Sequence, residues 1–220
     1  MTDRQDISFK PKGKVWKKQL LQPLPKWHRH QGSSNDCGPY CAMIVTNGLR
    51  DRDAVDGDVL GREMEGPPAL RGSLIPARIK GWATFPWGVV GVLRRQGFKV
   101  RWRPAAALRD LYANLNRGRP TIVIVGEPLR FVDGKYAGWS HYKVLYAWDP
   151  DEGFAFVDPA SADGVAFSYQ DEATFVAQWA AMGRQMIEVW DPGARNEAGG
   201  RKQRSVNPDA GQSPTHDLLS

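Results

Sequence analysis

Cysteine and histidine are scarce in this sequence, which has two cysteines and four histidines among 220 residues. Cys37 and Cys41 stand four residues apart, where one helix would carry both on the same face and a structural disulfide between them would be badly placed. So few cysteines exclude a disulfide-stabilised secreted scaffold. The pair is instead typical of free thiols in a reducing compartment.

Long apolar runs are also missing. No stretch approaches the roughly 18 apolar residues that a membrane-spanning helix needs. The first residues, 1–18, lack the apolar centre of a signal peptide. We therefore expect no membrane span and no secretion, and we expect the protein to be cytoplasmic.

The positive net charge of +6 is concentrated at one end of the chain. Residues 1–30 carry eight Lys or Arg against two Asp, whereas residues 191–220 carry four of each sign. A solvated basic arm of this kind could touch phosphates, anionic lipid or an acidic partner. We expect no nucleic-acid binding, because the aromatic residues are not interleaved with the basic ones as in an RNA-binding module.

These features divide the chain into three predicted parts. Residues 1–26 form the basic N-terminal arm, residues 27–190 one folded domain, and residues 191–220 a tail predicted to be disordered because it has no apolar periodicity. The sequence does not indicate an oligomeric state.

The most informative segment runs from Gln31 to a cysteine at the start of a predicted helix. Asn35 and Asp36 are good N-cap residues, which puts Cys37 in the first helical turn. The partial positive charge at a helix N-terminus favours the thiolate, the nucleophilic form of cysteine. The amide of Gln31 could donate a hydrogen bond to the oxyanion formed when a thiolate attacks a carbonyl group.

A second informative segment contains a predicted β-hairpin. Residues 141–148 and 154–158 read as apolar strands, and residues 149–153 have the composition of a tight turn. Folding about Pro150 and Asp151 brings Asp158 opposite Lys143 or nearby, one diagonal from His141. His141 is the sole histidine between residues 31 and 215, so it is the candidate base.

Together these segments resemble the papain-like cysteine peptidases, and most closely the C39-like family. The shared features are Gln31, the Asp-Cys-Gly-Pro step at residues 36–39, the His141 strand, the Asp158-Pro159 step, a closing helix with Phe175 and Trp179, and a last strand at residues 185–190. The resemblance implies an α+β papain-like fold, with Cys37 in an N-terminal helical half and His141 and Asp158 on a C-terminal antiparallel sheet. It also implies a peptidase without metal or cofactor, in which Cys37 attacks a peptide or protein substrate, His141 is the base, Asp158 orients it and Gln31 holds the oxyanion.

Several alternatives remain open on the sequence alone. The same residues suit an acyltransferase or deamidase, or an inactive peptide-binding module. Zinc ligation by His28, His30, Cys37 and Cys41 fits no common ligand spacing, and Cys41 is better explained as a core residue. Well-known C39 members trim leader peptides after a double glycine and are fused to a membrane exporter, so leader processing is not carried over.

Between the two segments the prediction is coarser. We expect a loop and short helix over residues 51–65, helices over 87–96 and 104–116, and strands over 98–102 and 121–125. Trp139 could line a substrate groove. Trp82 and Trp87 could do so too, although core packing is the commoner role of tryptophan.

Overall fold

The structure is a computed structural model that describes residues 23–65 and 76–193. The basic segment at residues 10–18 and the tail beyond residue 193 lie outside the described residues, so the predicted boundaries of the domain stay predictions. A 3₁₀ helix at Leu24–Trp27 is followed by five α-helices and eight β-strands within the described part. The helices are α1 (Cys37–Arg50), α2 (Gly57–Met64), α3 (Pro86–Arg95), α4 (Leu108–Asn116) and α5 (Glu172–Ala181). The strands are β1 (Arg78–Ile79), β2 (Ala83–Thr84), β3 (Lys99–Arg103), β4 (Thr121–Val132), β5 (Lys135–Asp149), β6 (Gly153–Val157), β7 (Ser168–Gln170) and β8 (Met186–Trp190).

Helix α1 is the central element of the helical half. It is buried almost all round from Cys37 to Gly48, as expected for an apolar helix enclosed by other elements. A Cβ atom on Gly38 would lie 2.7 Å from a methyl carbon of Thr84, so glycine permits the close approach of α1 to β2. The helix ends at Asp51, which adopts the left-handed conformation with φ 44°.

The other half is a six-stranded antiparallel sheet in the order β3-β8-β4-β5-β6-β7. Helix α5 packs on this sheet through Phe175 and Trp179, both fully buried. The ring of Phe175 lies 4.8 Å from that of Phe154 and 5.0 Å from that of Phe156. This aromatic cluster anchors the strand that leads into Asp158.

Helices therefore precede an antiparallel sheet, which confirms the predicted α+β class. The halves meet where α1 packs against β5, the strand that carries His141, and where α3 packs against β3 and β8. Cys37 and His141 thus come from opposite halves, as predicted from their positions in the sequence.

Three predicted elements have bounds in the structure that differ by several residues from the prediction. Helix α4 begins at Leu108 and not at residue 104, because the preceding backbone is engaged elsewhere: Ala105 has φ 54°, and its N–H and that of Ala106 donate to the carbonyls of Gly183 and Arg184. Strands β4 and β5 extend beyond the predicted apolar cores as a largely exposed ribbon that closes at Gly134. The apolar pattern missed the ribbon because neither of its faces is buried.

No helix in residues 23–65 or 76–193 is long and apolar enough to cross a membrane.

Candidate active site

Cys37 is the first residue of α1 and is almost buried. Asp36 is the N-cap residue, as predicted, but its side chain makes no capping hydrogen bond. It instead accepts a hydrogen bond from the Arg78 guanidinium, in an ion pair that is buried on both sides. Asp36 therefore occupies the predicted N-cap position, while its carboxylate binds a buried guanidinium in place of the backbone N–H groups of the helix.

Arg78 ties the start of α1 to the end of α2. Its second terminal nitrogen donates to Glu65 at 2.7 Å, and its side chain is only 6% exposed. Gly61 provides the space, since a Cβ atom there would lie 2.5 Å from Nη1 of Arg78. The residue just before Cys37 is therefore held by a charge network that spans three elements.

His141 lies on β5 and is hydrogen-bonded to an acid. Its Nε2–H donates to Oδ1 of Asp158 at 2.6 Å. Burial opposes the charged imidazole, but the hydrogen bond and charge of Asp158, together with the neighbouring Cys37, raise the pKa of His141 to about 9. Cys37 from the helical half and Asp158 from the sheet therefore both act on the imidazole of His141.

Asp158 follows β6 directly and has three partners. Besides His141, it accepts a hydrogen bond from the backbone N–H of Ala160 at 2.8 Å and pairs with Nζ of Lys143 at 3.2 Å. Burial opposes ionisation, but the hydrogen bond and charge of His141, then Lys143 and the Ala160 N–H, lower the pKa of Asp158 to about 2. The carboxylate is therefore ionised at neutral pH.

A β-bulge sets the position of Asp158. The hairpin closes with Asp149 opposite Gly153, one residue longer than the turn predicted about Pro150 and Asp151. Between Leu145 and Ala147 the register shifts by one residue, which undoes the difference. Because Val144 then pairs with Val157, the next residues, Lys143 and Asp158, face each other as the sequence predicted.

Gln31 lies in the loop before α1, at the edge of the same cleft as Cys37 and His141. Its backbone N–H donates to the carbonyl of Pro159 at 2.8 Å, and Nε2 of His28 is 2.9 Å from the carbonyl of Asp158. The Gln31 side chain donates to the carbonyl of Ser34 at 2.7 Å, which uses one of its two amide hydrogens. The loop is thus fastened to the Asp158-Pro159 step, and one amide hydrogen remains for another acceptor.

Cys41 lies one turn below Cys37 and is completely buried, and both cysteines are free thiols. Burial, with the neighbouring Cys37 as a smaller cause, raises the pKa of the Cys41 thiol well above its usual range. In the part of the chain that the structure describes, no group of three or more His, Cys, Asp or Glu side chains is placed to hold a metal ion. Of the residues named for zinc, His28 is hydrogen-bonded to the Asp158 backbone.

The cleft between the halves has a volume of about 540 Å³. Trp82 and Trp139 line the cleft and are both exposed, so Trp82 lies at the groove and not in the core, the commoner place for a tryptophan. Trp87 is instead part-buried, stacks on Phe85 at 4.6 Å and donates to the carbonyl of Pro76. Trp82 differs because it lies in the tight turn between β1 and β2, where its side chain is exposed to solvent.

Sequence reasoning missed two charged residues at the site. Arg78 stands far from the motif residues in the chain and is surrounded by no apolar periodicity that marks burial. Glu127 lies beyond the predicted end of β4, and only its pairing with Trp139 brings it to the cleft. Nothing in the local sequence distinguishes either from a surface charge.

Comparison with known proteins identifies the fold. A solved structure from Bacillus anthracis, described as a C39-like peptidase, matches with a TM-score of 0.58 over 78% of this chain and 96% of that chain, at 16% sequence identity. The chain has the fold of a C39-like peptidase. The peptidase domain of Streptococcus ComA, a bifunctional ABC transporter involved in a quorum-sensing pathway, matches with a TM-score of 0.49 at 18% identity, over 74% of this chain and 96% of that domain. The Salmonella effector SpvD matches with a TM-score of 0.41 at 10% identity, over 83% of this chain and 84% of the effector.

No protein-family model matches the sequence, and no curated protein matches it in a sequence comparison. The likeness to known proteins is therefore one of fold.

Proposed function

We propose that this protein is a cysteine peptidase that hydrolyses a peptide or protein substrate through Cys37, His141, Asp158 and Gln31. The observation that carries the proposal is the hydrogen bond from His141 to Asp158 at 2.6 Å, with Cys37 and His141 lining the same open cleft and Cys37 helping to raise the pKa of His141. A structural cysteine gains nothing from a protonated imidazole held by a carboxylate, whereas a nucleophile needs both.

In the proposed reaction, Sγ of Cys37 attacks the carbonyl carbon of the scissile bond as a thiolate. The resulting oxyanion accepts hydrogen bonds from the free amide hydrogen of Gln31 and the backbone N–H of Cys37. The C–N bond breaks and His141 gives its proton to the leaving amine. Water, deprotonated by neutral His141, then attacks the thioester, which releases the carboxylic acid and returns the thiolate and imidazolium.

Asp158 contributes by position and charge. Its hydrogen bond to Nε2 leaves Nδ1 of His141 directed to the thiol, and its negative charge stabilises the imidazolium. Lys143 and the Ala160 N–H keep the carboxylate ionised and in place. The cytoplasmic location expected from the sequence, the absence of a nucleic-acid partner and the extent of the domain remain predictions.

The decisive test is the pH dependence of iodoacetamide labelling at Cys37, measured by mass spectrometry in the Cys41→Ala background. We expect rapid labelling below pH 7, and we expect this phase to vanish in the His141→Ala variant because the imidazolium that supports the thiolate is gone. Labelling that rises only near pH 8.5 in both proteins, as for an ordinary thiol, would contradict the proposal.

A second measurement identifies the reaction. Incubation with a peptide library, with and without an added primary amine, should give products whose masses correspond to water addition in both cases. Products that carry the amine would indicate an acyltransferase, and a glutamine converted to glutamate without chain cleavage would indicate a deamidase. The Cys37→Ala variant is the control for adventitious proteolysis.

A further inference from the structure

The walls of the cleft carry an uneven set of charges and rings. Among the described residues that line it, Glu127 is the one acidic side chain, and no Lys or Arg lines it. Two tryptophans line the same cleft, with Trp82 66% exposed and Trp139 43% exposed. Large indoles left open to solvent beside a nucleophile mark a binding surface more often than a packing defect.

Glu127 and Trp139 are neighbours by sheet register. Glu127 on β4 pairs directly with Trp139 on β5, so both side chains project from the same face of the ribbon. The next pairs along the strands, Gly126 with Ser140 and Val125 with His141, lead straight to the candidate base. The carboxylate and the indole therefore lie within two residues of His141 along the ribbon.

Gly126 keeps this region of the ribbon tight. A Cβ atom at Gly126 would lie 2.1 Å from the carbonyl oxygen of Trp139, so only glycine permits the observed approach of the two strands. On the opposite wall, Trp82 is held by the turn in which its N–H donates to the carbonyl of Ile79, and Asn35 fastens the same turn through the carbonyl of Gly81. The backbone that carries each tryptophan is thus held in place by strand pairing or by hydrogen bonds of the turn.

We propose that the cleft selects substrates with a lysine or arginine side chain next to the scissile bond, held by Glu127 and by the indole faces of Trp82 and Trp139. This inference rests on the proposed peptidase function and adds the substrate class. A carboxylate attracts the ammonium or guanidinium group, and the electron-rich faces of tryptophan attract the same cation. The same wall repels an acidic side chain.

Among the described residues, Glu127 forms an ion pair with Arg130, and the contact between the two side chains is loose. The two side chains are 3.8 Å apart at closest approach and are 67% and 56% exposed. Such a pair in solvent contributes little and exchanges readily with another cation. A substrate cation that also contacts the indole faces should therefore displace Arg130 from the Glu127 carboxylate.

The test measures binding in the absence of catalysis. The full chain with Cys37→Ala is titrated with fluorescein-labelled short peptides of alanine and glycine in which one position at a time carries lysine, arginine, norleucine or glutamate. At one or more positions we expect lysine and arginine to bind about 3- to 30-fold more tightly than norleucine, whose side chain is the four-carbon chain of lysine without the ammonium group. Glutamate should bind more weakly than norleucine at that position.

Variants assign the effect to the residue. Glu127→Gln should remove most of the preference for lysine over norleucine, while Glu152→Gln, the same charge change in the exposed turn at the far end of β5, should leave it intact. Arg130→Gln should preserve or strengthen the preference. Equal binding of lysine and norleucine peptides, equal effects of the two glutamate variants, or no binding by any peptide would overturn the proposal.

This experiment separates the two proposals. A protein that binds basic peptides but whose Cys37 labels as an ordinary thiol would retain the recognition site and lose the proposed activity. A protein that cleaves neutral and basic peptides equally would retain the activity and lose the proposed selectivity. If a glutamate variant unfolds early in a thermal melt, the comparison of the four peptides on the Cys37→Ala protein alone decides.

Discussion

At the scale of single residues, the site depends on charges that are buried and paired. Asp158 accepts from His141 and from the Ala160 N–H and pairs with Lys143, so each of its oxygens has a partner. Removing the partners of such a group costs stability, because the low-dielectric interior offers an unpaired charge neither water nor another partner. The same reasoning applies to Arg78, whose partners Asp36 and Glu65 position the backbone in front of Cys37.

We predict that Arg78→Met lowers the free energy of unfolding by about 3 kcal/mol, because it leaves Asp36 as an uncompensated buried carboxylate. Urea denaturation measures the change. Iodoacetamide labelling of Cys37 should also slow in the folded variant, since the start of α1 loses its anchor.

The matched control is Arg95→Met. Arg95 pairs with Glu63 at 3.4 Å, but both side chains are more than 40% exposed, so the loss should be under about 1 kcal/mol. Equal destabilisation by the two substitutions would mean that the Arg78 network does not stabilise the domain specifically.

At the scale of elements, the β5-β6 hairpin shows which features can be predicted from the pattern of apolar and turn residues and which cannot. The predicted strands, the turn composition and the pairing of Lys143 with Asp158 were right. The register by which the two residues come to face each other was not predicted. The loop has one more residue than expected, which shifts the strand pairing by one, and the bulge after Leu145 shifts it back. Without the bulge, Asp158 would project to the face opposite His141, since a shift of one residue reverses the faces of a strand. Alternation of apolar residues does not reveal a bulge when both faces of the strands are covered.

The turn itself offers a test with an internal control. Gly153 has φ 93°, and a Cβ atom there would lie 2.3 Å from the carbonyl oxygen of Gln170 on β7. We predict that Gly153→Ala destabilises the protein by about 3 kcal/mol or more in urea denaturation, through the unfavourable φ together with a backbone clash.

Gly134→Ala is the comparison. Gly134 closes the β4-β5 ribbon with φ 75°, but no atom lies within 4 Å of its added Cβ, so the cost should be about 1 kcal/mol, from backbone conformation alone. Similar losses for the two substitutions would show that β7 can move away from the turn without a cost.

At the scale of the whole molecule, the interface between the halves is linked to the binding of a proton. Folding brings Cys37 from the helical half and Asp158 from the sheet to His141, whose pKa rises from 6.5 to about 9. Between these values the folded protein holds a proton on His141 that the unfolded chain has released. Raising the pH therefore favours unfolding, so the contribution of His141 is complete below pH 6.5 and is lost as the pH passes through about 9.

We predict that, in a Cys37→Ala background, which removes the thiol that could give its own proton to His141, the free energy of unfolding falls between pH 6.5 and 9 more steeply with His141 than with His141→Gln. The difference in slope should be at most about 1.4 kcal/mol per pH unit, the value for one proton. Urea denaturation across this range measures both slopes. Identical slopes would show that His141 does not gain a proton on folding.

The order and type of the main elements, and the candidate residues, could be predicted from the sequence because they depend on local patterns. These patterns are the N-cap and apolar helix around Cys37, the apolar strands after His141, and the turn residues between those strands. It also contained enough information for the resemblance to C39-like peptidases, which the fold bears out. The roles of Cys37, His141, Asp158 and Gln31 remain proposals that the labelling experiment tests.

The way in which those residues meet depends on the three-dimensional fold. The bulge that aims Asp158, the buried Arg78 that replaces side-chain capping by Asp36, and the arrival of Glu127 and Trp82 at the cleft all depend on contacts between segments distant in the chain. Such contacts are set by packing and by the pairing of buried charges, which have no period along the sequence. The elements could therefore be predicted from local chemistry, while the walls of the cleft and its charge could not.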